Sequence, residues 1–192
     1  MTQSSAWLVV GLGNPGPTYA FTRHNIGARV VDELASRTGV ALKRHKRALA
    51  DAAETHIAGR KVILTKPLSY MNESGGPTKA LATFYKIDID HIIVLHDELD
   101  IDLEAIRVKL GGGDNGHNGL KSVRSAFGTG DWFRVRLGIG RPPGRQDPAD
   151  FVLKTFSSAE ADSVATLISS GADAVESLIE HGLVPTQNRF NS

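Results

Sequence analysis

Trp7-Leu8-Val9-Val10-Gly11-Leu12-Gly13-Asn14-Pro15-Gly16-Pro17 is the stretch on which the fold turns. Four apolar residues in a row, closed by glycines, read as a buried strand. Gly11, Gly13 and Gly16 then satisfy the G-x-G-x-x-G spacing of a dinucleotide loop, with Asp32 or Glu33 about 20 residues on. In that fold the loop runs straight into a helix whose free N–H groups hold a pyrophosphate. Pro15 and Pro17 each remove such a donor, and Pro17 pushes Gly16 away from helical backbone. The acidic pair also falls inside a helical pattern rather than at the end of a second strand. The loop is therefore read as a rigid Pro-Gly turn that holds the polar side chain of Asn14, within an α/β fold that does not bind a dinucleotide.

Strands and helices alternate from there. Ile26, Val30, Val31, Leu34 and Ala35 recur at helical spacing until Gly39, with Asn25 placed to cap. Segments 49–58 and 61–66 flank Gly59 as a hairpin, and 77–85 reads as a helix with proline in its first turn. Strands are predicted over 91–95, 106–110 and 133–139, and a helix over 120–127. A long amphipathic helix takes in Val164, Leu167, Ile168, Ala172, Val175, Leu178 and Ile179. The sum predicts a single domain over 1–192: a mixed, twisted sheet with helices on both sides.

Composition narrows the classes. The chain has 192 residues, 41% hydrophobic and 22% charged, which is globular rather than disordered. No run approaches the roughly 18 apolar residues of a membrane span. Met1-Thr2-Gln3-Ser4-Ser5-Ala6 lacks the basic start and apolar stretch of a secretory signal, so a cytoplasmic protein is expected. The absence of cysteine rules out disulfides, thiolate metal sites and cysteine nucleophiles. A net charge of +1 hides an asymmetry. Lys43-Arg44-His45-Lys46-Arg47 is a basic run, Arg107, Lys109, Lys121, Arg124, Arg134, Arg136, Arg141 and Arg145 keep a second region basic, and 155–180 holds no lysine or arginine. Such a chain can turn one cationic face to a polyanion.

The candidate chemistry sits in short polar segments next to predicted elements. They are Asn14, Arg23-His24-Asn25, Tyr70-Met71-Asn72, His96-Asp97-Glu98-Leu99-Asp100 and Gly116-His117-Asn118-Gly119. A strand that ends in Asp97 delivers a carboxylate to the edge of the sheet, where α/β sites form. There it can orient an imidazole such as His24 and stabilise its protonated form. The cluster of His91, His96, Asp97, Glu98, Asp100 and Asp102 offers a metal reading instead, but no histidine pair has the i, i+4 spacing of a helical zinc site. With no serine in a G-x-S-x-G elbow, an acyl-enzyme is not indicated.

Six stretches that take in these segments, in order, resemble the motifs of bacterial peptidyl-tRNA hydrolases. They are 9–16 with Tyr19 and Arg23-His24-Asn25-Ile26-Gly27, then 66–75, 96–100, 109–113, 116–120 and 134–140. One departure shows: Asn115 stands after Asp114 where the family usually has glycine. Asparagine tolerates left-handed backbone, so the loop shape is expected to survive.

The resemblance implies hydrolysis of the ester joining a peptide to the terminal ribose of tRNA, with no cofactor and no metal, in a monomeric protein. It makes His24 the general base and Asp97 its orienting partner, so that loss of Asp97 is expected to be milder than loss of His24. Asn14 would distinguish a blocked amino group from a free one. Tyr19, Tyr70, Asn72, His117 and Asn118 would line the groove for peptide and terminal nucleotide, with Met71 as its apolar wall. Lys109 and Arg136 would clamp the phosphate at the 5′ end of the acceptor stem. The competing reading is an RNA-binding protein of the same fold without catalysis, in which His24 is structural.

Overall fold

In the computed structural model, which describes residues 6–192, seven strands form one sheet in the order β2-β3-β4-β1-β5-β7-β6. The strands are β1 (Trp7–Gly11), β2 (Lys43–Arg44), β3 (Ala50–Ile57), β4 (Arg60–Pro67), β5 (Ile92–Glu98), β6 (Ile106–Leu110) and β7 (Phe133–Gly138). β1 is parallel to both β4 and β5, and β5 is parallel to β7; β2, β3 and β6 run antiparallel to their neighbours. Continuous apolar runs in β1 (7–10), β4 (62–64) and β5 (92–95) are buried because helices cover both of their faces.

Helices α1 (Ile26–Thr38), α5 (Ala161–His181) and α6 (Leu183–Phe190) pack on one face, and α2 (Gly75–Phe84) and α3 (Asn118–Phe127) on the other. Alternation along the strands feeds the two cores separately. Val9, Leu64 and Leu95 meet α1 and α5, whereas Leu8, Val10, Ile63 and Val94 meet α2 and α3. The expected hairpin is present, turning at Ala58 and Gly59 with φ of 51° and 74°. α1 ends where Gly39 adopts left-handed backbone and its N–H caps Ala35 and Ser36.

Three elements escaped the pattern reading: the two-residue β2, the five-residue α4 (Pro148–Val152) and α6. β2 and α4 are too short for a periodicity to register, and α6 follows the long predicted helix after the single break at Gly182. The strand expected over 91–95 starts one residue later and runs three further, so that Asp97 and Glu98 remain within the ladder opposite Leu137 and Gly138 of β7.

Two glycines bring α1 down onto the sheet. A Cβ on Gly27 would lie 2.3 Å from the Leu95 carbonyl, and one on Gly11 would lie 2.4 Å from the Gly27 carbonyl. Any side chain there would lift the start of α1 away from β1 and β5. That closeness seats the turn before α1, which carries His24, against the end of β5.

Candidate active site

A cleft of about 630 Å³ opens at the carboxyl ends of the neighbouring parallel strands β1 and β5. The loop after β1 supplies Asn14. The side chain of Asn25 fixes that loop by accepting from the Asn14 N–H at 2.9 Å and donating to the Asn14 carbonyl at 2.9 Å. Asn25 stands at the helix N-cap position but makes no capping bond, so the expected cap is replaced by this clasp. The Asn14 Oδ1 accepts the Met71 N–H at 2.7 Å. With its oxygen engaged, the amide of Asn14 presents its NH₂ to the cleft.

His24 lies in the 3-10 turn 23–25, and its Nδ1 stands 3.0 and 2.9 Å from the two Asp97 carboxylate oxygens. His117 approaches the same carboxylate, with Nε2 2.8 Å from Oδ1. The tautomer of His117 follows from its other nitrogen. Nδ1 accepts from the N–H groups of Gly119 and Leu120 at 3.1 and 3.3 Å, capping α3, so the ring hydrogen is on Nε2 and donates to Asp97. His24 likewise donates from Nδ1, which leaves its Nε2 lone pair facing the cleft.

Burial opposes charge on His24, but the Asp97 charge and hydrogen bond outweigh it and raise its pKa above 6.5. Burial would raise the Asp97 carboxyl, yet the two imidazoles hold it far below the usual carboxylate range. His96 is fully buried behind them, its Nδ1 2.8 Å from the Asp97 carbonyl and its ring edge-on to His117. Burial, and then His117, push His96 down to about 3, so it is neutral.

The walls come from segments far apart in sequence. Tyr19, Tyr70, Met71, Asn72, His117 and Asn118 line the cleft with Asn14, His24 and Asp97, so nine of the eleven expected site residues converge. Lys109 and Arg136 lie outside it. Lys109 faces Arg134 across the ladder and Arg136 faces Arg107, so all four project from one face of β6 and β7. Arg136 pairs with Glu98 at 3.4 Å. Arg134 is buried, stacks on Trp132 and donates to the carbonyls of Gly112, Gly113 and Gly130, which makes it a support for the glycine loop. Lys109 is pushed below its usual value by burial and then by Arg136 and Arg134, as expected of a cation among cations.

The sequence reading missed the far wall, which is α4 with Leu153. Arg23, next to His24, lies 3.9 Å over the Phe151 ring, donates to the Phe151 carbonyl at 3.3 Å and pairs with Glu160 at 3.2 Å. It ties α4 to the turn that holds His24. The signal was present in Asp147-Pro148, a capping aspartate before a proline at the first helical position. Asn115 was read only for its backbone. Its φ is 50°, and its side chain also donates to Glu98 at 2.8 Å and to Asp100 at 2.7 Å, which latches the glycine loop to the end of β5.

The alternative metal cluster does not assemble. His91 precedes β5 and pairs with Asp90, some 20 Å along the strand from Asp97. Among the described residues the group with ligand spacing is His24, Asp97 and His117, whose nearest atoms lie within 4.8 Å of one another. Those atoms already share two hydrogen bonds, so an ion there would have to displace both protons.

A family model described as peptidyl-tRNA hydrolase matches residues 8–192. A peptidyl-tRNA hydrolase of Frankia casuarinae is 59% identical over 191 residues, covering 100% of this chain and 96% of the relative. One of Mycolicibacterium smegmatis is 58% identical over 185 residues, covering 96% and 97%. The crystal structure of peptidyl-tRNA hydrolase from Acinetobacter baumannii superposes with a TM-score of 0.90 at 36% identity, covering 100% of this chain and 97% of that one. With matches of this extent joined to a cleft built around His24, Asp97 and Asn14, the chain belongs to the peptidyl-tRNA hydrolase family.

Proposed function

We propose that this protein hydrolyses the ester between an N-blocked aminoacyl or peptidyl group and the terminal ribose of tRNA, and releases free tRNA and the peptide acid. The observation that carries this reading is the protonation pattern around Asp97, which leaves one imidazole nitrogen, Nε2 of His24, as a basic atom open to the cleft. In the proposed step, Nε2 takes a proton from water as its oxygen attacks the ester carbonyl. The Asn14 NH₂ donates to the oxyanion that develops, where a preorganised donor acts most strongly. As the tetrahedral intermediate collapses, the imidazolium returns the proton to the departing ribose oxygen, and Asp97 steadies the cation between the two transfers.

Asn72, Asn118 and the Asn14 amide offer donors and acceptors to peptide groups without reading side chains, as a substrate of varied sequence requires. Tyr70, 58% exposed at the rim, offers a ring on which the terminal base can stack. Lys109 and Arg136, diagonal neighbours on one face, form the clamp for the 5′ phosphate. We place the protein in the cytoplasm as a monomer, with 1–192 one functional domain. Among the described residues no helix is long and apolar enough to cross a membrane.

The test is release of N-acetyl amino acid from N-acetylaminoacyl-tRNA. The wild type should cleave it and spare the tRNA whose amino group is free. His24→Ala should lose nearly all turnover while keeping tRNA affinity. Cleavage of a short acyl-nucleotide should also survive EDTA. Turnover retained in His24→Ala would refute the assignment, and tRNA binding without any cleavage by the wild type would favour the RNA-binding reading.

A further inference from the structure

A second basic cluster stands at the opposite edge of the sheet from Lys109 and Arg136. Lys43, Arg44, Lys46 and Arg47 are exposed, and among the described residues none of them makes an ion pair. Asp51, across the ladder from Arg44, forms none with it. A run of like charges of this kind ordinarily repels and stays solvated.

This one is held in a fixed form. The His45 N–H donates to the Ala50 carbonyl at 2.9 Å, and the Arg47 N–H donates to His45 Nδ1 at 3.0 Å. His45 therefore carries its hydrogen on Nε2, which donates to the Tyr85 hydroxyl at 3.1 Å. The Arg44 guanidinium donates to the Ala48 carbonyl. Phe84, 51% exposed at the end of α2, stands edge-on to His45 with ring centres 4.9 Å apart. Cations and aromatics together line a hollow in which Glu54 is the sole carboxylate, and Glu54 is engaged by Lys61 at 3.7 Å.

The hollow has a definite relation to the cleft. Ala50 pairs with Pro67 at the end of β4, and β4 is parallel to β1, so the loop stands at the cleft end of the sheet. Lys43 pairs with Ala52, which packs on the α2 and α3 side, and the same face of β6 and β7 presents Lys109 and Arg136. The acidic α5 covers the other face. Five strand spacings separate β2 from β7, or about 24 Å, so the two basic clusters are too far apart to contact the same phosphate.

We infer that the β2–β3 loop and Phe84 form a second RNA-binding platform, which takes the sugar–phosphate backbone of the substrate tRNA at a point remote from the ester. This deepens the tRNA reading above and rests on it. Unpaired cations held in place attract phosphates, and the exposed ring beside them offers a face on which an unpaired base stacks. An acidic peptide would supply the charge but no flat face to match it.

The test uses the full chain, a Lys46→Ala/Arg47→Ala double variant and Phe84→Ala. Binding of uncharged tRNA is followed by fluorescence anisotropy, and kinetics are measured on N-acetylaminoacyl-tRNA and on an acylated 3′-terminal trinucleotide. At ~0.1 M salt the double variant should bind tRNA about three- to tenfold more weakly, with a salt slope shallower by about 1.4–1.8 for two lost phosphate contacts. Its KM on full tRNA should rise in step at unchanged kcat, and trinucleotide cleavage should match the wild type. Phe84→Ala should weaken binding without moving the salt slope, since a stacking face carries no charge. Equal tRNA affinity and slope in the wild type and the double variant would overturn the platform. A defect that persists on the trinucleotide would overturn it too, because the lesion then lies in the fold or the cleft. The binding arm needs no ester, so failure of the wild type to cleave would sink the hydrolase reading while this arm still decided the platform.

Discussion

Asp97→Asn is nearly isosteric, and the hydrogen bonds around the carboxylate determine what it does. Oδ1 serves both rings, at 3.0 Å from His24 and 2.8 Å from His117, whereas Oδ2 serves His24 alone at 2.9 Å. His117 cannot change tautomer without abandoning the Gly119 and Leu120 N–H groups that its Nδ1 accepts. The variant amide must therefore place its oxygen toward His117 and its NH₂ toward His24. Its N–H then donates to His24 Nδ1, the ring hydrogen moves to Nε2, and the atom that should take a proton already holds one. The opposite amide orientation sets N–H against N–H at His117, at about 1–3 kcal/mol for an opposed or unsatisfied buried donor. The imidazolium formed in the reaction also loses a charge-assisted bond that contributes about 1.5–3 kcal/mol.

Together these terms lower kcat by about 10²- to 10⁴-fold. KM should move little, because the lost interactions form in the transition state. Single-turnover hydrolysis of N-acetylaminoacyl-tRNA between pH 5 and 8 reads both effects. In the wild type Asp97 raises His24, so the rate should fall with decreasing pH along a limb centred above 6.5. Without the Asp97 charge, burial alone acts on His24 and the residual limb should shift to lower pH. A variant within threefold of wild-type kcat, or an acid limb that does not move, would refute the shared-carboxylate reasoning.

Asn14→Asp keeps an oxygen for the Met71 N–H but removes the NH₂ aimed at the cleft, so kcat should drop about 10²- to 10³-fold in the same assay with the fold intact. Asn115→Gly suits the positive φ but removes both bonds to Glu98 and Asp100; hydrogen exchange should quicken across 112–117, and unchanged protection there would show that the latch does not hold the loop. Lys109→Ala should raise KM at constant kcat and flatten the salt slope by about 0.9. If the same defect appears on a substrate without a 5′ phosphate, the clamp is wrong.

Local pattern was enough to identify the fold class and most of the cleft. An apolar run closed by glycines, a 3.6-residue period stopped by Gly39, and a hairpin turn at Gly59 are short-range signals that the structure follows within a few residues. The Pro15 and Pro17 objection to a dinucleotide loop is matched by the structure: 14 residues, 12–25, separate β1 from α1 and the last three of them form a 3-10 turn, so the loop does not run straight into a helix. Asn14, His24, Asp97 and Asn118 were named from motifs because each lies where an element begins or ends.

Tertiary structure alone decided how those groups share protons. The resemblance implies only that Asp97 orients His24; the assembled site makes it an acceptor for two imidazoles 20 and 73 positions away, which an amide cannot imitate. The same holds for Arg23, whose ring stacking and carbonyl bonds reach 128 positions along the chain to the α4 wall, and for Asn115, legible as a backbone residue but acting through its side chain. Periodicity and capping report which way a segment turns, because backbone sterics act between near neighbours. A tautomer, a latch or a cation face depends on which atoms several distant segments bring within about 3 Å, and that is set only once two cores have closed on both sides of one sheet.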